Sequence, residues 1–182
     1  RSRIREGIGF DDWFKIFQGD GFGAAVDQDN PDVILATSQN GGLGRYDRST
    51  NRTSMVMKPR VRGKSFTFNW DTPFFLSPHN QKILYFAGNY AYRSFDQGRS
   101  THLISDHSLG LTDTGTASAF AESPRQAGLL YVGTDDGALW CSENHGQTWT
   151  PLQGKVWGLP GPRYVSSLHA SAHDTDRVYA TF

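Results

Sequence analysis

Apolar residues in this chain come in short runs that return at a nearly constant interval. The runs Val33-Ile34-Leu35-Ala36, Ile83-Leu84-Tyr85-Phe86, Leu129-Leu130-Tyr131-Val132 and Arg177-Val178-Tyr179-Ala180 align on Leu35, Tyr85, Tyr131 and Tyr179, at spacings of 50, 46 and 48 residues. A polar turn precedes each: Asp29-Asn30-Pro31-Asp32, Ser77-Pro78-His79-Asn80, Ser123-Pro124-Arg125-Gln126 and Ser171-Ala172-His173-Asp174. Before each turn lies another short apolar run: Ala24-Ala25-Val26, Phe74-Phe75-Leu76, Ala119-Phe120-Ala121 and Leu168-His169-Ala170. Short runs bounded by Pro, Asn, Asp and Ser read as strands joined by tight turns. A repeat of this length is one supersecondary unit that needs its neighbours to bury its faces.

The pattern predicts an all-β chain of four-stranded antiparallel sheets stacked radially, which covers both apolar faces of each sheet and leaves only short edges. A β-sandwich with evenly spaced turns is the alternative, but it gives no reason for the repeated order. At 182 residues the chain holds about three to four such blades, below the usual four to eight of a closed ring. The expectation is a partial β-propeller, a fragment of a longer chain that supplies the remaining blades. Its parts are residues 1–19, the outer strand of a preceding blade carrying Trp13-Phe14-Lys15-Ile16-Phe17; blades at 20–58, 66–106 and 116–154; and half a blade at 163–182. Leu109–Gly115 and Val156–Pro162 are connections.

Ser142-Glu143-Asn144-His145-Gly146-Gln147-Thr148-Trp149 resembles the Asp-box, or BNR, repeat, and Ser94-Phe95-Asp96-Gln97-Gly98-Arg99-Ser100-Thr101 is a second copy 48 residues earlier. The pattern carries its own physics. A carboxylate or amide oxygen accepts bonds from turn amides, a Gly takes φ > 0, and the Trp anchors the hairpin between blades. Asn144 stands for the Asp in one copy and Thr101 for the Trp in the other, while Tyr46-Asp47-Arg48-Ser49-Thr50 predicts a different turn in the first blade. The structural set is therefore Ser94, Asp96, Gly98, Ser142, Asn144, Gly146 and Trp149. Gly19-Asp20-Gly21-Phe22, Ser38–Leu43, Asn69–Pro73 and Leu76–Asn80 extend the likeness to large bacterial BNR-repeat propellers, similar to the sortilin-type propeller domain and commonly labelled glycosyl hydrolases. That resemblance implies structural hairpins lying away from the ligand face, capture of a protein or peptide, and an extracytoplasmic or secreted setting.

Propeller ligands sit on the loops leading into the innermost strand and those linking the second strand to the third. By repeat alignment those loops carry Asp20, Asn40, Trp70, Asp71, Asn89, Tyr90, Asp135, Asp136, Arg163 and Tyr164. This acidic and aromatic set suits a polypeptide or a polysaccharide. Thr134-Asp135-x-Gly137 resembles the Thr-Asp-x-Gly segment of xyloglucanase-type propellers, which makes Asp135 the catalytic candidate should the chain be a glycoside hydrolase, a chemistry that needs two carboxylates. An Asp-Gly turn is equally what a hairpin requires. The three arginines and Tyr–Glu pair of a sialidase cannot be assembled from these loops.

Composition narrows the partners. Net charge is zero, yet Arg45, Arg48, Arg52, Lys58, Arg60, Arg62 and Lys64 face only Asp47 within one stretch, leaving the remainder at −6. Without interleaved stacking aromatics that stretch reads as a solvated strand and loop, so nucleic acid is not an expected partner. Phe66, Phe68 and Trp70 alternate with polar residues and predict an aromatic strand face used chiefly for blade packing. No apolar run reaches the length of a membrane span. Cys141, the single cysteine, rules out an internal disulfide and reads as a buried thiol. The histidines have no metal-ligand spacing, and Asp27–Asp32 lacks the Gly and terminal Glu of a calcium loop, so neither metal nor cofactor is expected. Asn51-Arg52-Thr53 fits the glycosylation acceptor pattern.

Overall fold

The computed structural model describes residues 7, 9, 10, 13–59, 61–159 and 161–182. Three four-stranded antiparallel sheets and one two-stranded sheet follow one another in chain order. The first is β1 (Gly21–Val26), β2 (Val33–Ser38), β3 (Gly42–Asp47) and β4 (Arg52–Met55). The second is β5 (Phe74–Ser77), β6 (Asn80–Ala87), β7 (Ala91–Ser94) and β8 (His102–Leu103). The third is β9 (Ala117–Glu122), β10 (Leu130–Thr134), β11 (Leu139–Ser142) and β12 (Thr150–Pro151), and the last is β13 (Ser167–Ala170) with β14 (Val178–Thr181). Each sheet is a meander, and consecutive first strands touch: β1 meets β5, β5 meets β9 and β9 meets β13. The chain is an all-β partial propeller, with β1, β5, β9 and β13 innermost.

The repeat of the sequence is a repeat of register. Ala25 lies opposite Leu35, Phe75 opposite Tyr85, Ala121 opposite Tyr131 and His169 opposite Tyr179, the same ten-residue separation in every blade. Strand period then sorts the core. On one face Leu35, Tyr85 and Tyr131 point to the following blade; on the other Leu84 and Phe86, or Leu130 and Val132, point to the preceding one. Three interfaces result. Val33, Leu35, Leu43 and Val56 meet Leu84, Phe86 and Tyr92. Tyr85, Ala87 and Ala91 meet Phe120, Leu130, Val132 and Trp149. Leu129, Tyr131 and Leu139 meet Leu168 and Ala170. Tyr179 occupies the same register but is 55% exposed, since no described sheet follows it.

Two stretches read from sequence as strands are not strands. Trp13–Phe17 lies extended across the first blade: the Phe14 ring meets Tyr46 at 5.7 Å, Thr53 Oγ1 donates to the Ile16 carbonyl at 2.9 Å, and Phe17 covers Gly44. The earlier part of 1–19, residues 1–6, 8, 11 and 12, lies outside the described residues. Phe66 and Phe68 do the same on the second blade, Phe68 stacking on Phe86 at 6.4 Å and on Tyr92 at 5.9 Å. Because Ala36–Gly44 and Phe86–Tyr92 are equivalent register pairs, Phe17 and Phe68 are equivalent lids. Alternating aromatics on an extended connector have the same period as a strand face, which is why the pattern misleads.

The β3–β4, β7–β8 and β11–β12 turns lie at one end of the blades, and the last two pack on the blade before. Ser94 Oγ accepts from the Gly98 amide at 2.7 Å and donates to Asp96 at 2.8 Å, while Asp96 accepts from the Ser100 amide and hydroxyl. In the third blade Ser142 Oγ accepts from the Gly146 amide at 2.9 Å. Asn144 accepts from the Thr148 amide at 2.9 Å and donates through Nδ2 to Thr148 Oγ1, reversing the direction of the Asp96–Ser100 bond. Gly98 and Gly146 have φ of 89° and 85°, and a Cβ on either would strike the preceding blade at Val56 or Ile104. Trp149 is buried and its indole donates to the Ile104 carbonyl at 2.9 Å; Thr101, in the matching place, donates its hydroxyl to the Met57 carbonyl. The first blade uses the shorter turn, with Asp47 accepting from the Ser49 and Thr50 amides.

Candidate functional site

The loops leading into the innermost strands and the β2–β3, β6–β7 and β10–β11 turns lie at the other end of the blades. Each lead-in loop is bonded to the turn of the blade before it: the Asn40 amide donates to the Trp70 carbonyl at 3.2 Å, Ala117 to Gly88 at 2.9 Å and Val165 to Thr134 at 3.1 Å. This repeated link sets the sequence-predicted residues into three groups, one per blade junction.

At the first junction stand Asp20, Asn40, Trp70 and Asp71, all exposed. Asn40 takes φ of 57°, the left-handed conformation that Asn tolerates in tight turns. Gln39 Oε1 accepts from the Asp20 amide at 2.9 Å, and Asn69 Oδ1 accepts from the Asp71 amide at 3.2 Å. Trp70 is 54% exposed and meets the edge of Phe22 at 6.4 Å, with an interplanar angle of 77°. Phe22 is exposed because the first blade's inner strand shifts register between Gly21 and Ala24, just where Phe22 sits.

At the second junction Asp135 is occupied. Its Oδ1 accepts from the Thr116 amide at 2.8 Å, and its Oδ2 accepts from Thr116 Oγ1 at 2.7 Å and Asn69 Nδ2 at 3.0 Å. One carboxylate therefore joins the β10–β11 turn to the lead-in of its own blade and to that of the blade before. Asn89 is also committed: its amide accepts from the Thr67 backbone and donates to the Ser65 carbonyl, each at 3.0 Å, and it is buried. Tyr90 is covered by Lys64, whose ammonium lies 4.4 Å from the ring centre.

At the third junction Asp136 accepts from Thr134 Oγ1 at 2.5 Å, from the Thr112 amide at 2.7 Å and from Thr112 Oγ1 at 2.9 Å. Burial opposes its ionisation, but these bonds and one from the Leu111 amide outweigh it and hold the carboxyl below its ordinary value. Arg163 and Tyr164 are exposed beside the turn, Arg163 donating to the Pro162 carbonyl at 3.0 Å.

Of the residues singled out from sequence, Asp20, Asn40, Trp70 and Asp71 form one open patch. Asp135, Asp136 and Asn89 serve as struts. Phe22, Gln39, Asn69, Thr112 and Thr116 join the site although sequence did not mark them. Phe22 had a signal, an aromatic directly after Gly-Asp-Gly; single Thr and Asn residues in loops had none. The basic stretch does not form one patch. Arg45 is buried between the first two blades, Lys58 lies 4.0 Å from the Phe68 ring centre, and Arg60 is outside the described residues. Among the described residues no group of three or more His, Cys, Asp or Glu converges to hold a metal, and no helix is long and apolar enough to cross a membrane. Asp27 caps its own turn, accepting from the Asp29 and Asn30 amides.

The fold is similar to that of solved propellers. YCF48 bound to D1 peptide is 14% identical over 74% of this chain and 40% of its own, with a TM-score of 0.51. The GH74 xyloglucanase of Xanthomonas campestris is 19% identical over 89% of this chain and 27% of its own, with a TM-score of 0.60. The GH74 enzyme of Niastella koreensis is 18% identical over 89% and 26%, with a TM-score of 0.58. The chain thus spans less than half the length of each. No family model matches the sequence, and no curated protein matches it.

Proposed function

We propose that this chain is a binding module of a β-propeller, presenting its loop face to a protein or peptide, with two Asp-box hairpins as structural clasps at the opposite end. The observation that carries this reading is a division of labour among the loop-face acids. Asp135, the residue a hydrolase would depend on, accepts three hydrogen bonds that join two blades, whereas Trp70, Phe22, Asp20 and Asp71 stay open at the first junction. A nucleophile or general acid needs a carboxylate able to reach substrate, and an exposed aromatic pair with a polar rim is the usual anchor of a polypeptide interface. The YCF48 likeness, to a propeller bound to a peptide, is compatible with this. The likeness to GH74 enzymes keeps a polysaccharide hydrolase built on Asp135 as the competing reading.

The test is selection from a displayed peptide library, with the wild-type chain and a variant whose 39–41 and 69–72 loops are scrambled as baits. Enrichment that depends on Trp70 or Asp71 is the expected result. Equal recovery on both baits, together with reducing-sugar release from xyloglucan that Asp135→Ala abolishes, would replace the binding reading with the hydrolytic one.

A further inference from the structure

Three aromatic rings among the described residues carry a cation of the chain's own. Lys58 Nζ lies 4.0 Å from the Phe68 ring centre, Lys64 Nζ 4.4 Å from Tyr90, and the Arg93 guanidinium 4.5 Å from Phe95. Trp70, the residue type whose face attracts cations best, is half exposed and has no such partner among the described residues. Phe22 meets it nearly edge-on at 6.4 Å, making a corner rather than a flat stack. Asp71 is next to Trp70 in the chain, and Asp20 is brought to the same junction through Gln39, whose neighbour Asn40 bonds the Trp70 carbonyl. Both carboxylates are exposed, and neither takes part in an ion pair among the described residues. The local cation, Lys58, is held over Phe68 against Gly41.

We propose that the Trp70–Phe22 corner, flanked by Asp20 and Asp71, receives an arginine side chain from a basic segment of a polypeptide partner. This rests on the reading of the loop face as a polypeptide-binding surface. A guanidinium is planar, so it lies flat on an indole while its N–H fork donates to carboxylates at the rim. A lysine ammonium gains the ring and the charge but not the forked geometry. An acidic segment is repelled by Asp20 and Asp71.

The experiment titrates the whole chain into fluorescein-labelled peptides of alternating glycine with arginine, citrulline or glutamate, and in parallel with a xyloglucan oligosaccharide. Saturable, salt-sensitive binding of the arginine peptide is expected, with citrulline weaker by about tenfold or more. Trp70→Ala should weaken it by about tenfold, Trp70→Phe should restore part, and Asp71→Asn should cost several-fold. Asp29→Asn, an exposed acid at the other end of the blades, should change nothing. Equal binding of arginine and citrulline peptides, indifference to Trp70→Ala, or an equal effect of Asp29→Asn overturns the arginine site. Capture of the citrulline or glutamate peptide alone, still dependent on Trp70, overturns it but leaves the polypeptide reading standing. Binding of the oligosaccharide with no peptide bound overturns both.

Discussion

Gln97 of the second blade donates through Nε2 to Asp27 of the first at 2.6 Å, and both side chains are buried. The same amide nitrogen donates to the Gln81 carbonyl at 2.9 Å, and Asp27 also pairs with Lys82 at 3.8 Å. A carboxylate without water is tolerable only when its lone pairs are filled. Gln97→Ala removes the donor and leaves that charge short of a partner. It should lower the unfolding free energy by about 2–4 kcal/mol in urea titration, while Gln81→Ala, which keeps the backbone acceptor, should cost less than half as much.

Acid should loosen the clasps. Burial resists ionisation of Asp96, but bonds from the Ser100 amide and hydroxyl, the Ser94 hydroxyl and the Arg99 amide bring its pKa down to about 2. For Asp27, burial again opposes the charge and is outweighed by Gln97, the Asp29 and Asn30 amides and Lys82. Groups whose folded pKa lies below the unfolded value stabilise the fold above that value, near 3.9, and lose the contribution as pH falls through the folded one. Thermal midpoints should therefore drop from about pH 4 towards pH 2. Asp96→Asn should keep the hairpin, since Asn144 already fills that place in the third blade, and should flatten the drop; an unchanged slope would remove Asp96 from the explanation.

The hairpin glycines should resist replacement. Gly146→Ala imposes φ of 85° on a residue with a Cβ and drives that Cβ to 2.8 Å from Ile104. The backbone strain alone costs about 1–3 kcal/mol, and the blade interface must open as well. Trp149→Ala should cost about 3–5 kcal/mol by leaving a cavity in the buried cluster around Leu130 and Val132. Gly154→Ala, with open space around it, should melt within a degree or two of the parent and serves as the control.

How much of this was legible beforehand follows from what each residue type signals. The blades were readable because Leu35, Tyr85 and Tyr131 must be apolar to fill an interface that recurs, and because the turns before them need Pro, Asn, Asp or Ser. The clasps were readable because Gly98 and Gly146 need a conformation few residues accept. The connectors are where the pattern misleads: Trp13–Phe17 is a short apolar run and Phe66 and Phe68 alternate with polar residues, each as a strand would, and only a partner backbone tells them apart. The struts were invisible. Asp135 looked like a catalyst or a turn residue because its partners, Thr116 and Asn69, lie 19 and 66 positions away and carry no pattern of their own.

Cys141 should be a slow thiol. It faces Tyr131 across the third blade, and burial, helped by the Glu143 charge, pushes its pKa up. Since the thiolate is the reactive form, a disulfide reagent at mildly alkaline pH should modify the native chain many times more slowly than the urea-unfolded one. Equal rates would mean that the cavity between the third blade and β14, which Cys141 lines, admits reagent and supports the thiolate.

The role of Asp135 can be decided by exchanging donor and acceptor. Asp135→Ala strands the buried Thr116 amide and should cost about 1–3 kcal/mol; Asp135→Asn keeps one acceptor but turns an NH2 group towards Asn69 Nδ2, so two donors collide. Adding Asn69→Asp restores a donor facing an acceptor, now with the carboxylate on the other blade, and the double variant should regain a good part of the melting temperature lost by Asp135→Asn. A strut predicts this rescue, because only the bond between the β10–β11 turn and the lead-in loop of the second blade matters. A catalyst predicts the opposite: melting nearly unchanged in both single variants, and no recovery of sugar release in the double one, since the carboxylate would stand in the wrong place.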